Sequence, residues 1–451
     1  DLPRAEASLR QMLKIEPKRI ETIDRLAAVL VRVGKAAEAA NLLEDLLARG
    51  IEEPQNRDYR IRLALAYETM GQARVGEAAL EALRETRPTD PVVIFALADY
   101  YDRQASGPAA AMHLNRAAAD LRAAIEETPQ RTEYWETLVR VLERRMGPGA
   151  ASCAASAALA AGRHSSVFVT YARQDGGSFG TPNTPLATSV LDTVTPRELP
   201  RSVRRLLALC GAGFDKAVPF DNAAWRPRRL DASMKPLLEE AQQCSTQLGI
   251  SDFRLLATDL GALTCLPISS DPPTLLVSRS QMEATSRPER EFLFARALLV
   301  AAQGFAPFVR ARPAEVEAAL KALLEGHVAS RAGPPPPKPV QELRKKLVRV
   351  VPRRQREELE DLVIDLRADD SFDGSAVGFA LAELGNRVAL ILSTHPGQAI
   401  DGLLKIAGTY VPKEHPGRLD AIRQSAEASR LLRFVMNDTH FEARTEAGLI
   451  Q

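Results

Sequence analysis

Four cysteines and six histidines are the residues of this 451-residue chain best suited to ligate a metal or attack a substrate. Cys153, Cys210, Cys244 and Cys265 stand tens of residues apart, and no C-x-x-C pair occurs. A zinc ribbon or redox dithiol needs that spacing, because two thiolates must reach one ion or each other. Each cysteine lies in an apolar or Ala-rich stretch, where it packs as a small hydrophobe. The histidines, His113, His164, His327, His395, His415 and His440, form no i, i+4 ligand pair. The phosphate loop G-x-x-x-x-G-K-[ST], the dinucleotide fingerprint G-x-G-x-x-G, the nucleophile elbow G-x-S-x-G and the zinc-hydrolase helix H-E-x-x-H are read as absent. No cofactor is expected, and an enzyme is disfavoured. Asp369-Asp370-Ser371-Phe372-Asp373-Gly374 gathers carboxylates but lacks calcium-loop spacing and the closing Glu, so it reads as a helix-capping turn.

The elements that carry these residues are mostly helices. Hydrophobic residues are 45% of the chain and charged residues 26%, ordinary for a folded protein of several units. Aromatics are only 5%, so the cores are expected to be Leu, Ala and Val. Lys+Arg number 59 against Asp+Glu 58, which leaves no net field to draw nucleic acid or an anionic membrane. No apolar run reaches the ~18 residues of a membrane span. Sparse cysteine fits a reducing compartment, so a cytoplasmic location is expected. The start, Asp1-Leu2-Pro3-Arg4, reads as a cut from a longer chain, with targeting illegible.

Residues 1–162 repeat with a period near 34. Pro17, Pro88 and Pro129 each close one helical pattern and open the next. In the first helix of each unit, Leu26-Ala27, Leu63-Ala64 and Leu97-Ala98 are followed three residues later by Leu30, Tyr67 and Tyr101. Ala5, Ala39, Gly76, Ala117 and Ala151 open the second helix, with Leu9, Leu43, Leu80 and Leu121 four residues on. Trp135 stands at the aromatic position of the last unit. This pattern resembles the tetratricopeptide repeat. The resemblance implies an α-solenoid of about four and a half units, with upstream repeats missing. Its groove would be lined by Asp24, Asp58, Leu65, Phe95, Asp99, Asp102, Glu133, Glu136 and Arg140. That groove reads acidic with a few apolar anchors. The expected partner is a protein with a basic or amphipathic surface, such as a small GTPase.

Residues 163–196 read as a linker, with one strand over Ser166–Tyr171. Residues 197–332 read as a small α+β domain. A helix spans about 197–217 and another 232–248, and strands are expected at 253–258, 262–266 and 273–278 before a long apolar helix from Pro288. Two strands followed by a Glu-led helix resemble the M48-type metallopeptidases. Aligning Glu289 with that helix's leading Glu puts Arg296-Ala297-Leu298-Leu299-Val300 where H-E-x-x-H would stand. Arg cannot ligate zinc, and Ala and Val carry no donor, so the resemblance implies a disarmed peptidase. The prolines at 334–337 mark a linker over 333–340. Residues 341–451 then read as a helical segment with patterns at 341–350, 353–366, 373–392, 398–409 and 419–435. Its basic run, Arg344-Lys345-Lys346 to Arg356, lacks interleaved aromatics and reads as a solvated face.

The fold class expected is mainly α, a solenoid followed by a small α+β domain and a helical tail. The function expected is a non-catalytic scaffold or adaptor. A peptide-sensing repeat regulator, or a hydrolase with an unrecognised site, are the other readings. Arg far exceeding Lys suggests a GC-rich bacterial genome, where long repeat proteins serve motility, polarity and envelope assemblies.

Overall fold

The computed structural model describes residues 2–174, 185–262, 264–328, 337–369, 372–393, 395–412 and 417–449. The chain is mainly helical, with a small mixed sheet of four strands among the described residues. It divides into two compact units, Asp1–Ala151 and Ser152–Gln451.

The first unit contains α1 (Leu2–Ile15), α2 (Ile20–Arg32), α3 (Ala36–Ala48), α4 (Gln55–Thr69), α5 (Ala73–Thr86), α6 (Pro91–Gln104), α7 (Ala110–Glu127) and α8 (Thr132–Met146). Each helix packs on the next, and α2, α4, α6 and α8 also touch in succession. The small positions of the repeat are where helices meet. A Cβ added at Gly76 of α5 would lie 2.7 Å from the Ala64 carbonyl oxygen of α4. Ala27, Ala64, Ala98 and Ala117 are buried, as are Leu43, Leu80 and Leu121 behind them. Trp135 is buried and its Nε1 donates to the Pro129 carbonyl at 2.9 Å, which ties the helix to the turn that opens it. The Gly107-Pro108 insertion forms a single 3-10 turn, Gly107–Ala109, leading into α7. Gly76→Leu is expected to force α5 off α4 at a cost of ~1–3 kcal/mol. A thermal midpoint equal to the parent's would show that this contact yields without strain.

The second unit is built around one helix. Its elements are α9 (Pro148–Ala160, whose residues from Ser152 on belong here), α10 (Ser166–Gln174), α11 (Thr188–Val194), α12 (Arg201–Ala217), α13 (Asn222–Trp225), β1 (Arg228–Arg229) and α14 (Lys235–Gln247). Then come β2 (Arg254–Thr258), β3 (Cys265–Ser270), β4 (Pro273–Ser278), α15 (Arg279–Glu283), α16 (Arg287–Ala302), α17 (Ala306–Arg310) and α18 (Pro313–Val328). The chain closes with α19 (Lys338–Arg349), α20 (Arg353–Ala368), α21 (Val377–Leu392), α22 (Pro396–Ile406), α23 (Gly417–Gln424), α24 (Ala426–Val435) and α25 (Asp438–Glu446). The sheet order is β1-β2-β4-β3, with β2 and β4 parallel and the outer pairs antiparallel. β3 is an edge strand, and its Pro267 and the bulge between Pro267 and Ser269 suit an edge.

Several expectations give way. Residues 197–332 and 341–451 are not separate bodies. In α16, Phe292, Leu293, Phe294, Ala295, Ala297, Leu298, Leu299 and Val300 are all buried. A helix apolar all round needs cover on every side. β3 and β4 lie against it, and so do α21 and α22 from beyond the Pro-rich stretch. α19 likewise packs on α12, where a Cβ at Gly213 would come within 2.3 Å of the Leu347 carbonyl oxygen. The division between the two units falls within α9, and Ala160, in the second unit, is held by Arg418. Ser166–Tyr171 is helix, not strand: Ser165 Oγ accepts from Val167 N at 3.1 Å and Phe168 is fully buried, so packing overrides β-propensity. The pattern at 419–435 is two helices, because Ser425 caps α24 through Ala428 N. The linker glycines at 176–180 and the prolines at 334–336 lie outside the described residues. So do Asp370 and Ser371; Asp373 beside them caps its turn by accepting from Ser375 N at 2.9 Å.

Candidate functional site

In the first unit, the expected groove residues are largely engaged with one another. Asp24 pairs with Arg62 of α4. Asp102 is 4% exposed and holds Arg140 Nε and Arg144 Nη1 of α8, each at 2.7 Å. Asp99 pairs with Arg103, and Arg140 lies 3.7 Å away. Asp58 accepts from Arg57 at 2.8 Å, and Glu133 meets Arg131 at 3.2 Å. Phe95 stacks on Tyr134 with ring centres 4.7 Å apart. Carboxylates on α2 and α6 are therefore neutralised by arginines one repeat later, a spacing that no single helix face reveals. Asp102 is a packing residue and cannot meet a partner's cation. Of the expected groove residues, Leu65, at 39% exposure, Glu133 and Arg140 are exposed, and Asp24, Asp58, Phe95, Asp99 and Glu136 are partly buried.

The second unit holds a cavity of about 520 Å³ beside the edge strand β3. α16 presents Arg296, Ala297 and Val300 to it, and β3 supplies Cys265, Leu266 and Pro267. These α16 residues are the first, second and fifth of the five aligned with H-E-x-x-H. The helix is fixed by a capping box. Ser286 N donates to Glu289 Oε2 at 2.8 Å, and Glu289 N donates to Ser286 Oγ at 3.4 Å. Glu289 is buried and also takes Lys405 Nζ of α22 at 2.6 Å, so the leading Glu is a structural anchor.

At the first of these positions, Arg296 Nη2 donates to Glu427 Oε2 of α24 at 2.7 Å, and Asn386 Nδ2 donates to the same oxygen at 2.9 Å. The far wall is aromatic. Phe220 stacks on Trp225 at 6.2 Å, and the Arg310 guanidinium lies 5.6 Å from the Phe220 ring centre. Arg310 is anchored by Asp215 and by the Ile268 carbonyl at 2.6 Å. Cys265 Sγ donates to the Leu293 carbonyl at 3.4 Å, and burial pushes its thiol up to about 12. At neutral pH it is a protonated thiol and a poor nucleophile. Asp221 caps α13 by accepting from Ala224 N at 2.9 Å. Among the described residues no three His, Cys, Asp or Glu side chains gather as a metal site. Two guanidiniums, an aromatic wall and an apolar floor suit the binding of an apolar group with a polar flank.

Sequence reasoning missed Phe220 and Trp225 as cavity walls. Their signal was two large aromatics five residues apart. It also missed Ala382, Asn386 and Glu427, whose approach to α16 has no local signature. One motif read as absent is present in the sequence. Gly176-Gly177-Ser178-Phe179-Gly180 carries the letters G-x-S-x-G and lies outside the described residues. No family model, no curated protein and no solved structure matches the chain. No helix among the described residues is long and apolar enough to cross a membrane.

Proposed function

We propose that this chain is a non-catalytic scaffold or adaptor. In this reading the first unit is a tetratricopeptide-repeat solenoid and the second keeps the frame of an M48-type metallopeptidase without its metal chemistry. The observation that carries it is the cavity beside β3. The helix positions expected to hold zinc and its base face that cavity, and they are Arg, Ala and Val. The first of them is tied into an ion pair with Glu427. A cavity of this size without donor atoms at those positions serves binding better than hydrolysis. Support for the solenoid comes from the buried small residues at each helix contact and the succession α2, α4, α6, α8.

The groove reading changes in chemistry. With Asp24, Asp99 and Asp102 already paired, Leu65 and Phe95 are its anchors and Glu133 and Glu136 its charge. The partner is a protein with a basic or amphipathic surface, such as a small GTPase, in a cytoplasmic assembly of a bacterial motility, polarity or envelope system.

Purified protein is expected to hold no stoichiometric zinc after dialysis, as elemental analysis would read. One zinc per chain that resists dialysis would overturn the disarmed reading. A pull-down with the whole chain is expected to lose its groove partner on Leu65→Asp with Phe95→Ala. The hydrolase reading is favoured only by the G-x-S-x-G letters, and it requires an esterase activity abolished by Ser178→Ala.

A further inference from the structure

The cavity beside β3 has charged side chains in its lining, yet little of that charge is open to a guest. Three lining residues are charged: Asp221, Arg296 and Arg310. Arg296 is paired with Glu427 and Arg310 with Asp215. Arg310 also gives Nη1 to the Ile268 carbonyl at 2.6 Å. Each guanidinium has its counter-ion within the protein, so an entering carboxylate or phosphate must break one pair to make another. Asp221 has no ion-pair partner among the described residues, and an anion would meet its negative charge as well. A cation would face both guanidiniums, while Asp221 is exposed and already accepts from Ala224 N.

The neutral polar groups are engaged in the same way. Thr264 Oγ1 donates to the Ala262 carbonyl at 3.1 Å, and Thr264 N donates to Ser278 Oγ at 2.9 Å. The Cys265 thiol is held by the Leu293 carbonyl. What remains to meet a guest is mostly carbon, from Val218, Phe220, Trp225, Leu266, Val300 and Ile406. These walls come from α13 and the chain before it, β3, α16, α17, α21 and α22, so a guest is met from several sides. The volume of about 520 Å³ lies within the range, about 300–1,000 Å³, of pockets that take up a small molecule whole. A Leu or Phe side chain of a partner protein is much smaller than that.

The aromatic wall is held firmly. Thr258 Oγ1 donates to the Trp225 carbonyl at 2.7 Å, and the Phe220 ring stacks on the indole. Arg226, the next residue, has φ 47° and ψ 56°, and it is the only non-glycine with a positive φ among the described residues. An L side chain is strained there, and such strain persists only where the surroundings enforce it. Two half-buried rings are thus kept in the wall of an apolar cavity.

We infer that this cavity takes up an uncharged, largely apolar small molecule with an aromatic ring, packed against Phe220 and Trp225. The inference rests on the reading of the cavity as a binding site rather than a hydrolytic one, and it adds the class of ligand.

The probe for the test is N-phenyl-1-naphthylamine, a neutral aromatic amine whose emission rises in apolar surroundings. Titrated into the whole chain, it is expected to saturate at one molecule per chain. The chain has two tryptophans, so Trp135→Phe leaves Trp225 as the only indole, and its emission is expected to be quenched in step with binding. Ala382→Phe fills space at one wall and Ile406→Asp sets a charge in another, and each is expected to weaken binding about tenfold or more. Both positions are half-buried, and melting each variant beside the parent separates lost binding from lost folding. The sulfonate and trimethylammonium analogues of the probe are expected to bind the parent about tenfold more weakly, a comparison that needs no variant. The inference is overturned by the absence of saturable binding, by a charged analogue that binds more tightly than the neutral probe, by Trp225 emission unchanged at saturation, or by two folded variants that bind as the parent does. Failure of the underlying reading looks different: zinc retained through dialysis, or hydrolysis of a peptide or ester that Ala382→Phe abolishes and the probe inhibits.

Discussion

Replacing Arg418 with methionine is expected to cost about 3–5 kcal/mol, the range for stripping one partner from a buried ion pair. Arg418 is only 6% exposed although it stands in the first turn of a short helix. Its Nε donates to the Ala160 carbonyl at 2.5 Å, its Nη1 to Pro412 at 3.2 Å and its Nη2 to Gly397 at 3.3 Å. Nη2 also lies 2.7 Å from Asp401 Oδ1. One side chain therefore joins α9, α22 and the stretch before α23. Methionine fills much of the volume but leaves three carbonyls without this donor and the Asp401 charge without its cation. Burial already pushes the Asp401 carboxyl up, opposed by Arg418, so the loss falls on a group that is poorly solvated. Urea denaturation would read the change as a lower midpoint. Combining the change with Asp401→Asn should restore part of it, because the orphaned charge is removed. A loss below about 1 kcal/mol would mean that water takes over these carbonyls.

Acid is expected to destabilise the second unit through His440. This imidazole is fully buried between Phe434 and Phe441. Its Nδ1 lies 3.1 Å from the Val435 carbonyl, and its Nε2 has no partner among the described residues. Burial first, and the nearby Arg444 charge second, lower its pKa to about 3. An unfolded chain takes up this proton near pH 6.5, well before the folded one does. The stability due to a neutral His440 is therefore complete above about pH 6.5 and is lost as pH falls toward 3. The slope approaches about 1.4 kcal/mol per pH unit across that window. His440→Asn keeps a donor for Val435 and removes the titration. Its stability is expected to be lower than the parent's at pH 7 but flatter between pH 6.5 and 4, as parallel denaturation curves would show. Equal slopes in parent and variant would place the acid sensitivity in carboxylates elsewhere.

Local patterns were legible where neighbours along the chain decide the outcome. The repeat spacing put Ala27, Ala64 and Ala98 at buried contacts because a helix face is set by residues three and four apart. The third expected strand matches β4 at 273–278, and the second begins three residues late, at Cys265. The long helix starts at Arg287 because Ser286 and Glu289 form a cap readable in four letters. Ser166–Tyr171 was misread because its β-branched run favours strand in isolation, while Phe168 gains more by packing as helix.

The groove acids and the cavity mark where reading along the chain stops. Sequence placed Asp99 and Asp102 on one face of α6, and they are there. Whether that face is open depends on Arg140 and Arg144, which arrive from α8. Sequence also showed that Arg296, Ala297 and Val300 lack the donors for zinc, since donor atoms belong to residue types. That these three face one cavity and that Glu427 claims Arg296 follow from elements far apart in the chain. Residue type and helical period are local and survive in the one-dimensional order. Charge pairing and enclosure depend on which distant side chains share a volume, and packing alone settles that.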